Sequence, residues 1–369
     1  MPETFEGLPL SQGNADSILL DGLRGYVPAL QSKVGELEAL QHASATVWEQ
    51  IAPWIRVSQR RDPPLENTVS SWATRIHAAV QSRPFFLDVL RPSPNAQIDT
   101  RAGPRLLVDV VYGAARRKGL CFTPVMLASD AGNPVGTAAI QASRDGQGLA
   151  IRIDTIEVGG SAGHPATLSK AVEATGLTAA DIDLIIDAGF IGDYEDGDLE
   201  LVADVVQELG ELDKWRNLVT VATSIPKTLT AIREGTTGPL PRREWALWCK
   251  LVRRGGRVPT FGDYAIQHPI PPEEGGPGMR TNIRYTLGEC TLVARGRQLT
   301  QTGPAEYKIL SSRIVGSGSF KGPQFSWGDD VIAGCAEGRI PPGTQHMWRG
   351  AGTSHHLALV AEQLRQFRP

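Results

Sequence analysis

The chain has 369 residues, 41% hydrophobic and 21% charged, with 37 Lys and Arg against 40 Asp and Glu, for a formal net charge of −3. The apolar fraction suffices to bury a full core, either in two ordinary domains or in one large α/β barrel. No apolar run reaches the ~18 residues of a membrane span, and the near-neutral charge excludes a general nucleic-acid binder while leaving a local basic groove open.

Residues 1–24 lack periodicity, carry several Pro and Gly, and have no apolar centre of the signal-peptide kind, so they read as a flexible leader. From Tyr26 onward two patterns alternate. Strands are expected at 26–30, 51–57, 85–90, 121–127, 149–154, 182–187, 218–223 and 260–264. Between them, helices are expected at 36–51, 66–80, 104–117, 137–143, 166–175, 198–210 and 242–254. The second of these places Val69, Trp72, Ile76 and Ala79 on one face. Several strands are unbroken apolar runs, such as Leu184-Ile-Ile186, as strands buried on both faces of a parallel sheet require. Eight such strands over residues 25–268 predict an α/β fold of the (β/α)8 TIM-barrel type, with a doubly wound open sheet as the alternative.

After residue 268 the pattern changes. Pro269 to Gly278 make a loop, and 282–285 with 291–297 read as a hairpin turning at Leu287-Gly288-Glu289. A glycine-rich stretch follows at 316–322, then helices at 328–337 and 354–366, with Ser326 and Thr353 as their N-caps. Residues 269–369 thus form a hairpin-plus-helices module expected to cap the barrel, within the same domain or as a lid.

Three stretches together resemble one family. The first is Tyr26-Val-Pro-Ala-Leu30 with Lys33, Gly35, Glu36 and Ala39-Leu40. The second is Ile283-Arg-Tyr-Thr286 with Arg295-Gly-Arg297. The third is Phe320-Lys-Gly322, Phe325-Ser-Trp-Gly-Asp329, Cys335-Ala336, Trp348-Arg349, Gly352-Thr353 and His355-His356. The chain resembles the phage and bacterial "beta protein" family over most of its length after the leader. The resemblance implies a barrel-like α/β fold and a link to phages, mobile elements or host–phage conflict. It implies no particular reaction.

Chemistry in a parallel barrel sits at the C-terminal strand ends. Standing there are Lys33, Asp88, Arg152, Asp154, Asp187, Ser224 and Asp263. The carboxylates Asp88, Asp154, Asp187 and Asp263 suit acid and base work or the ligation of Mg²⁺ or Ca²⁺, so a divalent metal is one cofactor the ring would admit. Lys33 and Arg152 suit a phosphate or carboxylate. Glu36 reads more simply as first-turn helix charge.

A second constellation comprises Arg284, Tyr285, Arg295, Arg297, Lys321, Trp327, Trp348 and Arg349. On one surface these would stack bases and bind phosphates; the plainer reading of Trp327 and Trp348 is a satellite core. His355 and His356 point about 100° apart on a helix and do not share a metal. The free N–H groups of helix starts at Ser326 and Thr353 would place an anion near His355, with Asp329 opposing it. HExxH, GxGxxG after a strand and a P-loop are absent. Four scattered cysteines without CxxC fit reduced thiols in a cytoplasmic protein.

The expectation is a barrel hydrolase, phosphodiesterase-like, acting on a phosphorylated or nucleotide-like ligand. The alternative is a non-catalytic module that binds protein or nucleic acid through the hairpin surface.

Overall fold

Eight parallel strands close into a barrel in the computed structural model, which describes residues 25–58, 66–90, 93, 95–154, 164–211, 214–270 and 280–367. The expected leader and residues 271–279 of the Pro/Gly loop lie outside the described residues. In chain order the strands are β1 (Tyr26–Gln31), β2 (Trp54–Ser58), β3 (Phe85–Leu90), β4 (Gln97–Thr100), β5 (Gly103–Leu106), β6 (Phe122–Leu127) and β7 (Leu149–Asp154). They continue with β8 (Ile182–Phe190), β9 (Asn217–Thr223), β10 (Thr236–Pro241), β11 (Thr260–Asp263), β12 (Arg280–Thr286) and β13 (Cys290–Gln298). The helices are α1 (Val34–Gln41), α2 (Ala45–Trp48), α3 (Glu66–Val80), α4 (Leu107–Arg117), α5 (Pro134–Ser143) and α6 (His164–Thr175). After these come α7 (Asp196–Glu211), α8 (Arg243–Arg254), α9 (Leu299–Thr302), α10 (Glu306–Val315), α11 (Trp327–Glu337) and α12 (Gln345–Gln366).

The barrel order is β1-β2-β3-β6-β7-β8-β9-β11, and β11 pairs in parallel with β1 to close it. Alternate residues divide between two cores. Val27, Trp54, Phe86, Val125, Ala150, Ile185 and Val219 fill the barrel interior. The outward residues Leu30, Ile55, Leu87, Ile151, Leu184 and Ile186 pack under the helices. Burial on both faces is why these strands read as continuous apolar runs. At the N-terminal end, Arg216 donates to both oxygens of Asp183 at 2.8 and 2.7 Å, and Asn217 adds a third bond at 2.6 Å, so this buried carboxylate is fully used in closing the floor.

The region read as one helix over 36–51 is two. Ser44 accepts a bond from Val47 N at 3.3 Å and starts α2 afresh, the local competition a serine offers to a continuing helix. The strand β10 was not expected because its sequence, Thr-Thr-Gly-Pro-Leu-Pro, is poor in strand formers. It is tolerated as the edge of the antiparallel sheet β10-β13-β12, where a proline need not donate to the ladder.

The last helix starts at Gln345, and Thr353 is buried in its middle rather than at its N-cap. Gly350 and Gly352 are close-approach positions inside α12. A Cβ at Gly350 would stand 2.9 Å from Gly35 O, and one at Gly352 would stand 2.8 Å from Arg284 O. Leu357, Val360, Ala361 and Leu364 of α12 join the main core beside Tyr26 and Phe261. The helix therefore lies where the eighth βα unit needs its covering helix, with β12, β13 and α9–α11 inserted before it. Those inserted elements have a core of their own around Tyr285, Tyr307, Ile332 and Trp348.

Candidate functional site

At the C-terminal mouth, two pairs of adjacent strands, β2 with β3 and β7 with β8, end in inward-facing charges, and β6 lies between the pairs. Trp54 points into the barrel, so Arg56 two residues on does too. The same parity turns in Asp88 after Phe86, Arg152 after Ala150, and Asp187 after Ile185. Arg56 and Asp88 are register partners, as are Asp154 and Asp187. Arg152 Nη1 donates to Asp154 Oδ1 at 2.9 Å and to Asp187 Oδ2 at 3.2 Å. Tyr264, just past β11, donates its hydroxyl to Asp187 Oδ2 at 2.5 Å, and Gly189 N donates to Asp187 Oδ1 at 3.0 Å. The guanidiniums of Arg56 and Arg152 lie 5.1 and 5.6 Å from the Trp54 ring, which forms the floor.

Burial lowers the Arg152 pKa, but Asp88, Asp154 and Asp187 outweigh it, so the guanidinium is held above its ordinary value. Burial pushes the Tyr264 phenol well up, and it remains a proton donor. Asp88 Oδ2 stands 3.9 Å from both Arg56 Nε and Arg152 Nε. All three atoms are buried without a hydrogen-bond partner, as is Trp54 Nε1.

The mouth continues past β1. Gln31 is the register partner of Arg56, and its N–H donates to Glu36 Oε2 at 2.6 Å. Glu36 is in the first turn of α1 as expected, yet only 2% exposed, and Glu36 Oε1 has no partner. Burial raises its pKa, against the pull of Arg349, Lys33 and Arg56. Lys33, half-buried, occupies the N-cap position of α1. A carboxyl whose pKa is raised by folding ionises first in the unfolded chain, so stability falls as pH climbs from the ordinary value of 4.5 through the raised one. Glu36→Gln keeps an acceptor for Gln31 and removes that cost. It is expected to melt above the wild type at pH 7 and level with it well below pH 4.5; paired thermal melts check this, and a lower melting point at pH 7 would refute it.

Two further carboxylates form struts inside the fold. Asp329 accepts from Tyr285 Oη at 2.8 Å and from Ser326 Oγ at 2.6 Å, and it bonds His355 Nδ1 at 2.9 Å. The other ring nitrogen of His355 faces the carbonyl of Thr286 at 2.8 Å and must carry a proton, so the His355–Asp329 contact holds a second one. Tyr285 stacks on His355 with centroids 3.7 Å apart.

Asp263, expected at the mouth, is on the outer face of β11, because parity turns Tyr264 inward instead. It bonds Tyr26 Oη at 2.6 Å and His356 Nε2 at 2.9 Å, and His356 Nδ1 meets Thr286 Oγ1 at 2.8 Å. The Asp263–His356–Thr286 line resembles a hydrolase triad. Its threonine is 0% exposed, so no substrate reaches it, and the line serves to tie the barrel, the hairpin and α12 together.

A model of the Beta protein family matches residues 26–362. The chain belongs to that family. No curated protein matches the chain. The Beta protein match takes in all eight barrel strands, the inserted elements and most of α12 in one segment.

The remaining expected site residues of this Beta protein are spread more widely. Ser224 donates to Glu244 Oε2 at 2.6 Å and accepts from Arg243 N at 2.7 Å, engaged at the start of α8 and away from the mouth. Trp327 stacks on His42 at 4.5 Å and lines a cleft of about 400 Å³ with Phe325 and Asp330, at the end of α1 opposite Lys33. Tyr285 and His355 are fully buried, and the helix start expected to present an anion near His355 does not exist at Thr353. At α11 the Ser326 cap and Asp329 already take the start. Arg349 precedes Gly350, which packs on Gly35 beside Glu36, and the backbone of Arg284 lies against Gly352 of the same helix.

Among the described residues no three His, Cys, Asp or Glu side chains stand together as a metal-ligand set; at the mouth Arg152 lies between the carboxylates. Sequence reasoning passed over Arg56, Tyr264 and His268. The parity of Trp54-Ile-Arg56 was the available signal for the first. His268 sits on the loop after β11 against Phe190, accepts Ile270 N at 3.1 Å on Nδ1, and has its pKa lowered by burial.

Proposed function

We propose that the protein is a barrel hydrolase acting at the C-terminal strand ends on a phosphorylated or nucleotide-like ligand. The observation that carries this reading is the buried, unpartnered Asp88 Oδ2 facing two unpartnered guanidinium N–H groups. A hydroxyl placed among them would accept from both Nε atoms and give its proton to Asp88, the arrangement a general base needs. Asp187 has a different task, since three donors already hold it; it fixes Arg152 and Tyr264. Asp154 orients Arg152 from the other side. Arg56 and Lys33 are the cations that would meet the ligand's anionic group. The four cysteines are free thiols, which fits a reducing cytoplasmic setting. A role in host–phage conflict rests on the family resemblance alone.

The alternative, a non-catalytic binding module, needs the hairpin surface exposed. Trp348 is 3% exposed and stacked on Tyr307 at 4.7 Å. Arg295 is 8% exposed and donates to the carbonyls of Leu229 and Ile232. Both are spent inside the fold, which favours the mouth.

The test is a panel of nucleotides and sugar phosphates, with and without divalent metals, screened by thermal shift and then by product release. Asp88→Asn is expected to slow turnover of any hit by about 10²- to 10⁴-fold, the usual worth of a general base. Wild-type turnover in that variant would sink the assignment.

A further inference from the structure

A second charged site adjoins the first, and its imbalance is of the opposite sign. Arg284 projects from β12 back to the barrel, where its Nη1 donates to the carbonyl of Ile266. Arg349 comes from the first turns of α12. Neither forms an ion pair with a carboxylate among the described residues, and Arg284 Nε and Arg349 Nη1 are buried without a partner. The acid nearest to hand is Glu36, which burial drives toward its neutral form. Burial and then the charge of Arg349 bring Arg284 down to about 10, so the two guanidiniums oppose each other. A pair of like charges kept together in a half-buried place is a cost that folding alone does not repay.

We propose that Arg284 and Arg349 form an anion subsite at the rim, built to take the phosphate of a ligand whose reacting bond lies at the Asp88 end of the mouth. Guanidinium forks suit phosphate oxygens by bidentate donation, and each arginine has a buried donor to offer. The backbone links the two ends: on α12, Gly352 packs on Arg284 and Gly350, next to Arg349, packs on Gly35, then Gln31 N donates to Glu36, and Arg56 is the register partner of both Gln31 and Asp88. The ligand would thus be held by its phosphate on residues of the inserted module and α12, and worked on by the barrel. The assignment rests on the mouth being the ligand site, and the test separates the two.

The probe is inorganic phosphate, titrated into the full chain at constant ionic strength with chloride as the replaced anion, and read by calorimetry and thermal shift. Wild type should bind it and melt higher, since binding to the native state stabilises by mass action. Arg284→Met and Arg349→Met should each weaken phosphate binding about tenfold or more, as loss of a charge-assisted bidentate contact does. Asp88→Asn should keep wild-type phosphate affinity even as it loses turnover. The subsite is overturned if wild type binds no phosphate or if both arginine variants bind it unchanged. Loss of phosphate binding in Asp88→Asn would also overturn it, placing the anion at the mouth and leaving the hydrolase reading intact.

Discussion

Arg152→Met is expected to destabilise the protein by about 3–5 kcal/mol at pH 7, the cost of breaking a buried charge cluster from one side. The guanidinium is 12% exposed and is the counter-charge for three carboxylates, Asp88, Asp154 and Asp187. Methionine retains the stem that packs on Trp54 and removes the charge. The three acids would then repel one another in a low-dielectric barrel end, which raises the pKa of such groups in the folded state. The sign of the pH dependence follows. Carboxyls raised by folding are a cost above their unfolded pKa, and that cost disappears as acid protonates them in both states. The deficit of the variant should therefore shrink as pH falls toward ~4, the ordinary carboxylate range. Urea unfolding of both proteins across that range measures it. A deficit below about 1 kcal/mol at pH 7, or one that does not shrink in acid, would show that the cluster is not held by Arg152.

Asp329→Ala should have a comparable effect, about 3–5 kcal/mol, but a different distribution. The carboxylate is 0% exposed and serves Tyr285, Ser326 and His355 together. Without it a phenol, a hydroxyl and a protonated ring nitrogen are stranded in the small core shared by β12, α11 and α12. The loss should fall on that core first. Hydrogen exchange is expected to show amides of α11 and β12 losing protection while those of β8, deep in the barrel, keep theirs. Equal loss in both regions would mean that the inserted elements and the barrel unfold as one unit.

Much of the barrel was legible locally. β3 and β7 lie on the residues the pattern marked, and α3 buries Val69, Trp72, Ile76 and Ala79 as its spacing requires. Asp88, Arg152, Asp154 and Asp187 could be placed together because strand ends follow from local periodicity, and a parallel barrel brings its C-terminal ends to one rim. The same reasoning misplaced Asp263 by one step of alternation. In a strand, one residue is the difference between the mouth and the outer layer. Arg56, equally well signalled by the parity of Trp54-Ile-Arg56, was passed over.

Local periodicity alone marked eight buried strands alternating with amphipathic helices, and the strand ends that carry four of the mouth charges. Periodicity and strand length are properties of neighbouring residues, and they survive without knowledge of the fold. Which residues meet was set by the closing of the barrel. His356 meets Tyr26 across almost the whole chain, Asp329 meets His355 and Tyr285, and Arg152 is surrounded by acids from β3, β7 and β8. That closing also decided that Gly350 and Gly352 are places where α12 presses on the backbone of Gly35 and Arg284. Pairing energies between residues far apart in the chain leave no periodic trace, so which charge is neutralised and which is left for a ligand is settled only when the barrel closes.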